Sequence, residues 1–392
     1  MANTFNLGNG NWAQKTEKLL AYNAENNNYK PLPFDFDRAS TATVVNKNGL
    51  IETVGVDEPR IDFLNNTKGH LLLEPSRQNV VTYSENLEDV SWEKINASIT
   101  SNYGISPEGV QNSTRILCSN TTDARVVIAY GGALNNGVQY TWSGYYKGTA
   151  GEKVVINAIS SGTGAVNASK VITFNGNWQR EDVTFTVGTA LEYVFINDAR
   201  VGSDTTATDF EFFGAQLEEG SYATSYIPTS GSAVTRSAET CNNAGNSNVI
   251  NSVEGVLYAE VSSNENTLNK GISLSDGSYD NRVLLYFDTS NNIRAYVFVG
   301  GVNQANIVTN GYDYSQNGKI AFRYKANDFK LYINGQSFGS DTSGTTFSSD
   351  TLTDVAFDIN GAATEKFYGN CKEIKVYNTA LSDSELIALT TI

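Results

Sequence analysis

Residues Phe213–Glu239 read "FGAQLEEGSYATSYIPTSGSAVTRSAE". One run of short strands ends in this stretch, and a second begins soon after it. "FFGAQLEEG" is dense in apolar residues and stops at a glycine turn. "SYIPT" is extended, because proline disfavours helix in the residue before it. Leu217 is expected to face inward. Glu218 and Glu219 are neighbours on a strand, so they point to opposite faces. "TSGSAVTRSAETCNNAGNSN" is small, polar and weakly patterned, and reads as a linker.

Upstream, "RVVIAY", "QYTWSGYYKG", "KVVINAI", "KVITFN", "REDVTFTV", "EYVFIND" and "FEFFGAQLE" recur at short intervals. "YTWSGYYK" and "DVTFTV" alternate with period two, one face toward a core and one toward water. Downstream, "GVLYAEVS", "KGISLSD", "RVLLYFDT", "IRAYVFVG", "KIAFRYKA", "DFKLYING", "DVAFDIN" and "CKEIKVYN" repeat the pattern. "YINGQSFGS" predicts a hairpin with an Asn-Gly turn. Many short strands separated by turn residues predict an all-β chain with two tandem antiparallel sandwiches. At the N-terminus, a short helix is expected around residues 16–23. "TATVVNKNGLIETV" predicts two short strands about a turn, and "RIDFL" and "HLLLE" another pair. In "TALSDSELIALT", a serine cap with glutamate three residues on predicts a closing helix.

The 392 residues are 40% hydrophobic and 11% aromatic, enough for more than one core. Net charge is −15, with no run of lysine and arginine, which disfavours nucleic acid as a partner. No apolar run reaches the length of a transmembrane helix. Cys118, Cys241 and Cys371 are odd in number and too widely spaced for a zinc motif. Folding in a reducing cytoplasm, without a disulfide framework or a secretion signal, is expected. The sequons at Asn65, Asn96, Asn112, Asn120 and Asn167 are read as chance in a chain rich in Asn, Ser and Thr.

"NVVTYSENLEDVSWEKINASIT", "QYTWSGYYKG", "NGNWQREDVTFTV" and "FFGAQLEEGSYATSYIPTSGSAVTRSAET" resemble a jelly-roll module of phage and prophage virion proteins, itself similar to carbohydrate-binding domains. "GVLYAEVS", "ISLSDGSYDNRVLLYFD", "KIAFRYKANDFKLYINGQ" and "FYGNCKEIKVYNTALSDSELIALT" resemble a concanavalin A-like (laminin G-like) lectin domain. In this order the two modules are similar to tail-fibre or head-fibre proteins of tailed phages. The resemblance implies an N-terminal attachment and oligomerisation region (1–78), a carbohydrate-binding-like jelly roll (79–235), a linker (236–250) and a lectin domain (251–392). It also implies a homotrimer, contacts with other virion proteins through the N-terminus, assembly in a bacterial cytoplasm and location on the virion.

Chemistry is sparse. Glycoside hydrolysis needs two carboxylates about 5–9 Å apart across one cleft. No E-x-D-x-[x]-E pattern occurs, and Asp288 reads as a turn residue. A single histidine, His70, leaves no triad. A non-enzymatic protein is expected. Calcium is the one ion with plausible ligands, at Asp276, Asp280 and Asn281 in "LSDGSYDN", with Asp358 and Asn360 as a second group. The same residues are ordinary turn composition. Glycan binding calls for aromatic platforms on loops. Tyr312, Tyr314, Tyr279 and Trp92 are the candidates, with Trp142, Tyr145, Tyr146 and Trp178 behind them. Tyr140, Trp142 and Tyr146 share a strand parity, which suits a core face. Host-surface polysaccharide is the expected ligand. A capsid or tail adaptor without sugar binding, and a depolymerase, are the rival readings.

Overall fold

The computed structural model describes residues 3–15, 18–25, 27, 33–130, 134–160, 165–188, 192–200, 205–359 and 365–392. Among these the regular secondary structure is almost entirely strand, with one helix at Asp383–Thr390. It forms two compact units. The smaller comprises Asn48–Thr53 and Ser76–Arg236, and the larger Met1–Lys47, Val54–Pro75 and Ser237–Ile392.

The smaller unit is a β-sandwich of two five-stranded antiparallel sheets. One runs in the order Trp92–Ile95, Arg125–Ala129, Glu192–Asp198, Lys153–Ser160, Val166–Thr173; the other Ala97–Thr100, Thr114–Cys118, Asp209–Glu219, Gln139–Gly148, Gln179–Thr186. Period-two alternation sends Tyr140, Trp142 and Tyr146 inward, where Trp142 stacks on Phe212 and meets Trp92 edge-on. Leu217 is fully buried in the same core.

The exit segment after Glu219 is fastened by buried polar side chains. Gln216 accepts from the Ile227 amide at 2.7 Å. Glu218 accepts from the Thr224 amide at 2.8 Å and from its hydroxyl at 2.5 Å. Asn79 donates to the carbonyls of Ala215 and Ile227 and accepts from the Leu217 amide. An extended strap has no ladder of its own, so these side chains satisfy its backbone groups. Burial pushes the Glu218 carboxyl up, while the Thr224 donors and Arg236 draw it down.

The larger unit is a second sandwich. A five-stranded sheet, ordered Val302–Val308, Ile293–Val299, Arg282–Phe287, Lys270–Ser275, Asp354–Ala356, shares one core with an eight-stranded sheet centred on Glu254–Ser262 and Gly369–Tyr377. The Asn-Gly hairpin forms at Asn334 and Gly335, both with positive φ, joining Phe329–Ile333 to Gln336–Asp341. Ser382 caps the closing helix, in a capping box with Glu385.

The N-terminal region departs from expectation. Phe5–Gly8 pairs with the Gly369–Tyr377 strand, and His70–Leu73 extends the same sheet. Phe5, Leu7, Leu19, Phe34, Phe36, Leu71 and Leu73 all enter the core of the larger unit. Residues 1–78 are therefore not a separate structural region. The expected helix at residues 16–23 is absent from its described part. Lys18–Leu20 is a strand between Ala13–Lys15 and Phe34–Asp37, because burying Leu19 outweighs weak local helix preference. Residues 16 and 17 lie outside the described set.

The expected linker 236–250 is also ordered. Thr240–Asn242 pairs with Phe34–Asp37, and Cys241, Ala244, Val249 and Ile250 are core residues. Glu239 sits fully buried against Arg38 at 2.8 Å, and its other oxygen accepts from the Glu74 amide at 2.8 Å. Arg60 donates to Glu239 at 2.7 Å and pairs with Glu74 at 2.8 Å. Burial alone would lower the Arg60 pKa, but the two carboxylates hold it above its ordinary value. His70 lies buried beside Asp62, at 3.4 Å. Cys118, Cys241 and Cys371 are free and buried.

Asp354 gives this unit a pH response. Burial first, and then the charge of Asp358, push its carboxyl up to about 7. A carboxyl whose folded pKa exceeds its unfolded value stabilises the fold in the protonated form. That contribution is full below about pH 4 and is lost as pH rises through about 7. The Asp354→Asn variant removes the ionisation. Its melting temperature relative to the native chain is expected to rise between pH 5 and pH 8; a pH-independent difference in thermal melts would count against this.

Candidate functional site

The outward face of the five-stranded sheet carries the best-formed aromatic platform among the described residues. Val283, Leu285, Phe287, Ile293, Ala295 and Val297 point into the core. Period two then turns Arg282, Leu284, Tyr286, Arg294, Tyr296 and Phe298 outward. Antiparallel register sets Arg282 opposite Phe298, Leu284 opposite Tyr296 and Tyr286 opposite Arg294. Leu284 is buried, and a side chain on Gly271 would strike both it and Ile359. Tyr286, Arg294, Tyr296 and Phe298 are only half-buried.

The rings are held by one another and by charge. Tyr286 and Tyr296 meet edge-on with centroids 6.2 Å apart, and Tyr296 and Phe298 lie tilted at 5.6 Å. The Arg282 guanidinium sits 4.4 Å from the Phe298 centroid and 4.9 Å from that of Tyr279. Its Nη1 donates to the Tyr279 carbonyl at 2.7 Å, whereas its buried Nε finds no acceptor. Burial lowers the Arg282 pKa, against nearby Tyr279, Glu365 and Asp280. Arg294 donates to Asp288 at 2.8 Å and to the Tyr296 hydroxyl at 3.3 Å. Burial would raise Asp288, but Arg294 and the Asn292 donors hold it below the usual carboxylate range. The Tyr286 hydroxyl donates to Glu365 at 3.0 Å; burial, and then this carboxylate, raise its pKa.

Of the four expected platform residues, only Tyr279 reaches this face, and it is 49% exposed. Tyr314 is 4% exposed. Its ring packs on Phe287, its hydroxyl donates to the Asp288 carbonyl at 3.0 Å, and the Lys270 ammonium lies 4.5 Å from its centroid. Trp92 is 2% exposed, in the smaller unit's core, and its indole donates to the Tyr83 carbonyl at 3.1 Å. Neither can offer a ring face to a sugar, because both rings are buried in a core. Tyr312 is half-buried, edge-on to Phe338, its hydroxyl accepting from Asn334 at 2.8 Å. In the smaller unit Trp142 and Tyr146 are core residues; Tyr145 and Trp178 are half-buried.

The sequence reading missed Arg282, Tyr286, Arg294, Tyr296 and Phe298. The signal was present, since the outward parity carries Arg282 and Tyr286 in "RVLLYFD", broken only by Leu284, and Arg294, Tyr296 and Phe298 in "IRAYVFV".

The calcium candidates form a turn. Asp276 accepts from the Ser278 amide at 3.0 Å, the Ser278 hydroxyl at 2.6 Å and the Asn281 amide nitrogen at 2.8 Å. Asn281 in turn accepts from the Gly300 amide at 3.0 Å. The Asp280 amide donates to the Ser278 hydroxyl. Donors of the loop itself thus occupy the Asp276 oxygens, as in an Asx turn. Among the described residues, no group of three or more His, Cys, Asp or Glu is placed to hold a metal. Asp358 accepts from Asn242 at 2.9 Å, and Asn360 lies outside the described residues.

The acids of the opening stretch separate as expected: Glu218 is fully buried and Glu219 is exposed.

Residues 245–387, which include the whole aromatic face, match the family model for the concanavalin A-like lectin/glucanases superfamily. No curated protein matches the chain. Among solved structures, the chain is similar to the CBM40 of Ruminococcus gnavus IT-sialidase bound to alpha2,3 sialyllactose, at TM-score 0.34 and 18% identity, covering 38% of this chain and 94% of that one. Domain 4 of AbnA, a GH43 extracellular arabinanase from Geobacillus stearothermophilus, in complex with arabinotriose, matches at TM-score 0.32 and 15% identity, covering 44% of this chain and 82% of that one. The NanB sialidase from Streptococcus pneumoniae matches at TM-score 0.32 and 17% identity, covering 37% and 25%.

Proposed function

We propose that the chain is a non-enzymatic, fibre-type virion protein of a tailed phage, and that it binds host-surface glycans on the outward face of the five-stranded sheet. One observation carries the glycan reading. Three adjacent rings, Tyr286, Tyr296 and Phe298, are half-open on a rigid sheet beside two guanidinium groups. Sugar rings present C–H faces that stack on aromatic side chains, and hydroxyls that meet arginine and carboxylate partners at the edge. The Nε of Arg282, buried without an acceptor, favours a sugar carrying an acidic substituent. The fibre reading is supported by the module order seen in the sequence. In it, the contact with other virion proteins is made by the larger unit, which holds Met1–Lys47 and Val54–Pro75, and the assembly is a homotrimer. Multivalency lets weak single sites act together.

The test is a glycan array and whole-cell binding assay with the native chain beside Tyr296→Ala and Phe298→Ala. Loss of one stacking ring is expected to weaken binding by about tenfold or more, since about 1.4 kcal/mol is one decade. The circular dichroism melt should change little, because both rings lie outside the core. Unchanged binding by both variants would remove the face from the reading. No binding by the native oligomer to any glycan or cell would favour a structural capsid or tail component.

A further inference from the structure

The smaller unit has a cleft of its own, with a volume of about 490 Å³. Sites for small ligands span roughly 300–1,000 Å³. Three segments wall it: Tyr83–Glu88, Ser101–Thr114 and Pro228–Ser230. Each is tied down by backbone. Tyr83 bridges Ser230, and the Ser84 amide donates to the Thr229 carbonyl at 3.3 Å. The loop between Ser101 and Thr114 closes on itself through the Tyr103 amide and the Ser113 carbonyl at 2.9 Å. A cleft so held loses little freedom on binding.

Its chemistry is lopsided. Glu85 and Glu88 supply carboxylates, and Asn86, Asn102 and Asn112 supply carboxamides. No lysine or arginine lines it among the described residues. Two buried polar atoms of its wall, Asn112 Oδ1 and Ser101 Oγ, have no hydrogen-bond partner. Asn112 spends its nitrogen on Glu108 at 3.0 Å and Glu85 at 3.4 Å, which leaves its carbonyl unspent. Glu85 Oε1 accepts from the Tyr226 hydroxyl at 2.8 Å, which orients the carboxylate. Burial, and after it the charge of Glu108, raise the Glu85 pKa against the donors Tyr226 and Asn112. Unspent acceptors without cations nearby call for a ligand rich in donors. Tyr83 and the exposed Pro228 add apolar wall for C–H surface.

We propose that this cleft is a second saccharide site, separate from the aromatic face, and that it takes an amino sugar whose nitrogen donates to Glu85 and Asn112. It does not rest on the reading of the larger unit. The two sites oppose each other in charge: the arginine-bearing face favours acidic sugars, and this cleft rejects them.

The experiment is a titration of the full-length chain with glucosamine, with glucuronate as the opposite-charge probe, followed by amide chemical shifts and by calorimetry. Glucosamine is expected to shift amides of residues 83–88, 101–114 and 228–230, and glucuronate to leave them in place. Glu85→Gln keeps the acceptor for Tyr226 and is expected to weaken glucosamine by about tenfold, through loss of a charged hydrogen bond. Ser230→Trp places bulk in the cleft from an exposed position whose φ is not positive, removes no partner of the core, and is expected to abolish the shifts. Absence of glucosamine shifts at these residues, equal response to both probes, or binding unchanged in both variants would overturn the proposal. Persistence of cleft binding in Tyr296→Ala and Phe298→Ala separates its outcome from that of the aromatic face.

Discussion

Glu239→Gln is expected to destabilise the larger unit by about 3–5 kcal/mol, the cost of breaking a buried ion pair from one side. Glu239 is 1% exposed and meets Arg38 and Arg60, which are fully buried. Arg38 has three further acceptors, the carbonyls of Ser40, Glu58 and Gly55, so its hydrogen bonds survive. Arg60 keeps Glu74. The substitution removes the carboxylate charge that two buried guanidinium groups share in low dielectric, and the penalty is one of charge rather than of shape. Scanning calorimetry reads it. The transition of the larger unit should fall by at least about 6 °C, given about 2–4 °C per kcal/mol at this domain size. The transition of the smaller unit should stay in place. A shift of the larger unit under about 2 °C would mean that the cluster contributes nothing to its stability.

A fragment spanning residues 237–392, although it contains the whole family match, is expected not to fold. It lacks the Phe5–Gly8 and His70–Leu73 strands, which complete one edge of Gly369–Tyr377. It also lacks Phe5, Leu7, Leu19, Phe34, Phe36, Leu71 and Leu73, each at most 2% exposed. Burying one such side chain is worth about 1.5–3 kcal/mol. Seven together exceed about 10 kcal/mol, comparable with the whole stability of a domain. Amide dispersion in NMR spectra and a cooperative melt are the measurements. A well-dispersed, cooperatively melting 237–392 fragment would refute the expectation. Residues 76–236 are the contrast. Their core runs from Val81 to Leu217 within that span, so this fragment is expected to fold alone.

Local pattern made the strands legible. "YTWSGYYK" and "DVTFTV" alternate with period two, so their inward residues follow from parity. The Asn-Gly hairpin and the Ser382–Glu385 capping box are likewise short-range, each decided within a few residues. The aromatic face was within reach of the same parity argument, had it been applied to the outward residues. The loop tyrosines were weaker guides. Whether Tyr312 or Tyr314 stands on a loop or plugs its base depends on what lies beneath, here Phe338 for one and Phe287 for the other.

The sequence by itself determined the all-β class, the position of most strands in the two sandwiches, the inward parity of their apolar residues and the closing helix. All of these are set by hydrophobic period and by turn or cap chemistry acting over a few residues. Only the tertiary structure decided where Phe5–Gly8, Lys18–Leu20 and His70–Leu73 dock, and the place of the stretch after Arg236. Phe5–Gly8 finds its partner strand at Gly369–Tyr377, and Glu239 finds its cations at Arg38 and Arg60. A short polar segment carries no period strong enough to announce such a partner. Its place is set by the burial and charge pairing that distant parts of the chain provide.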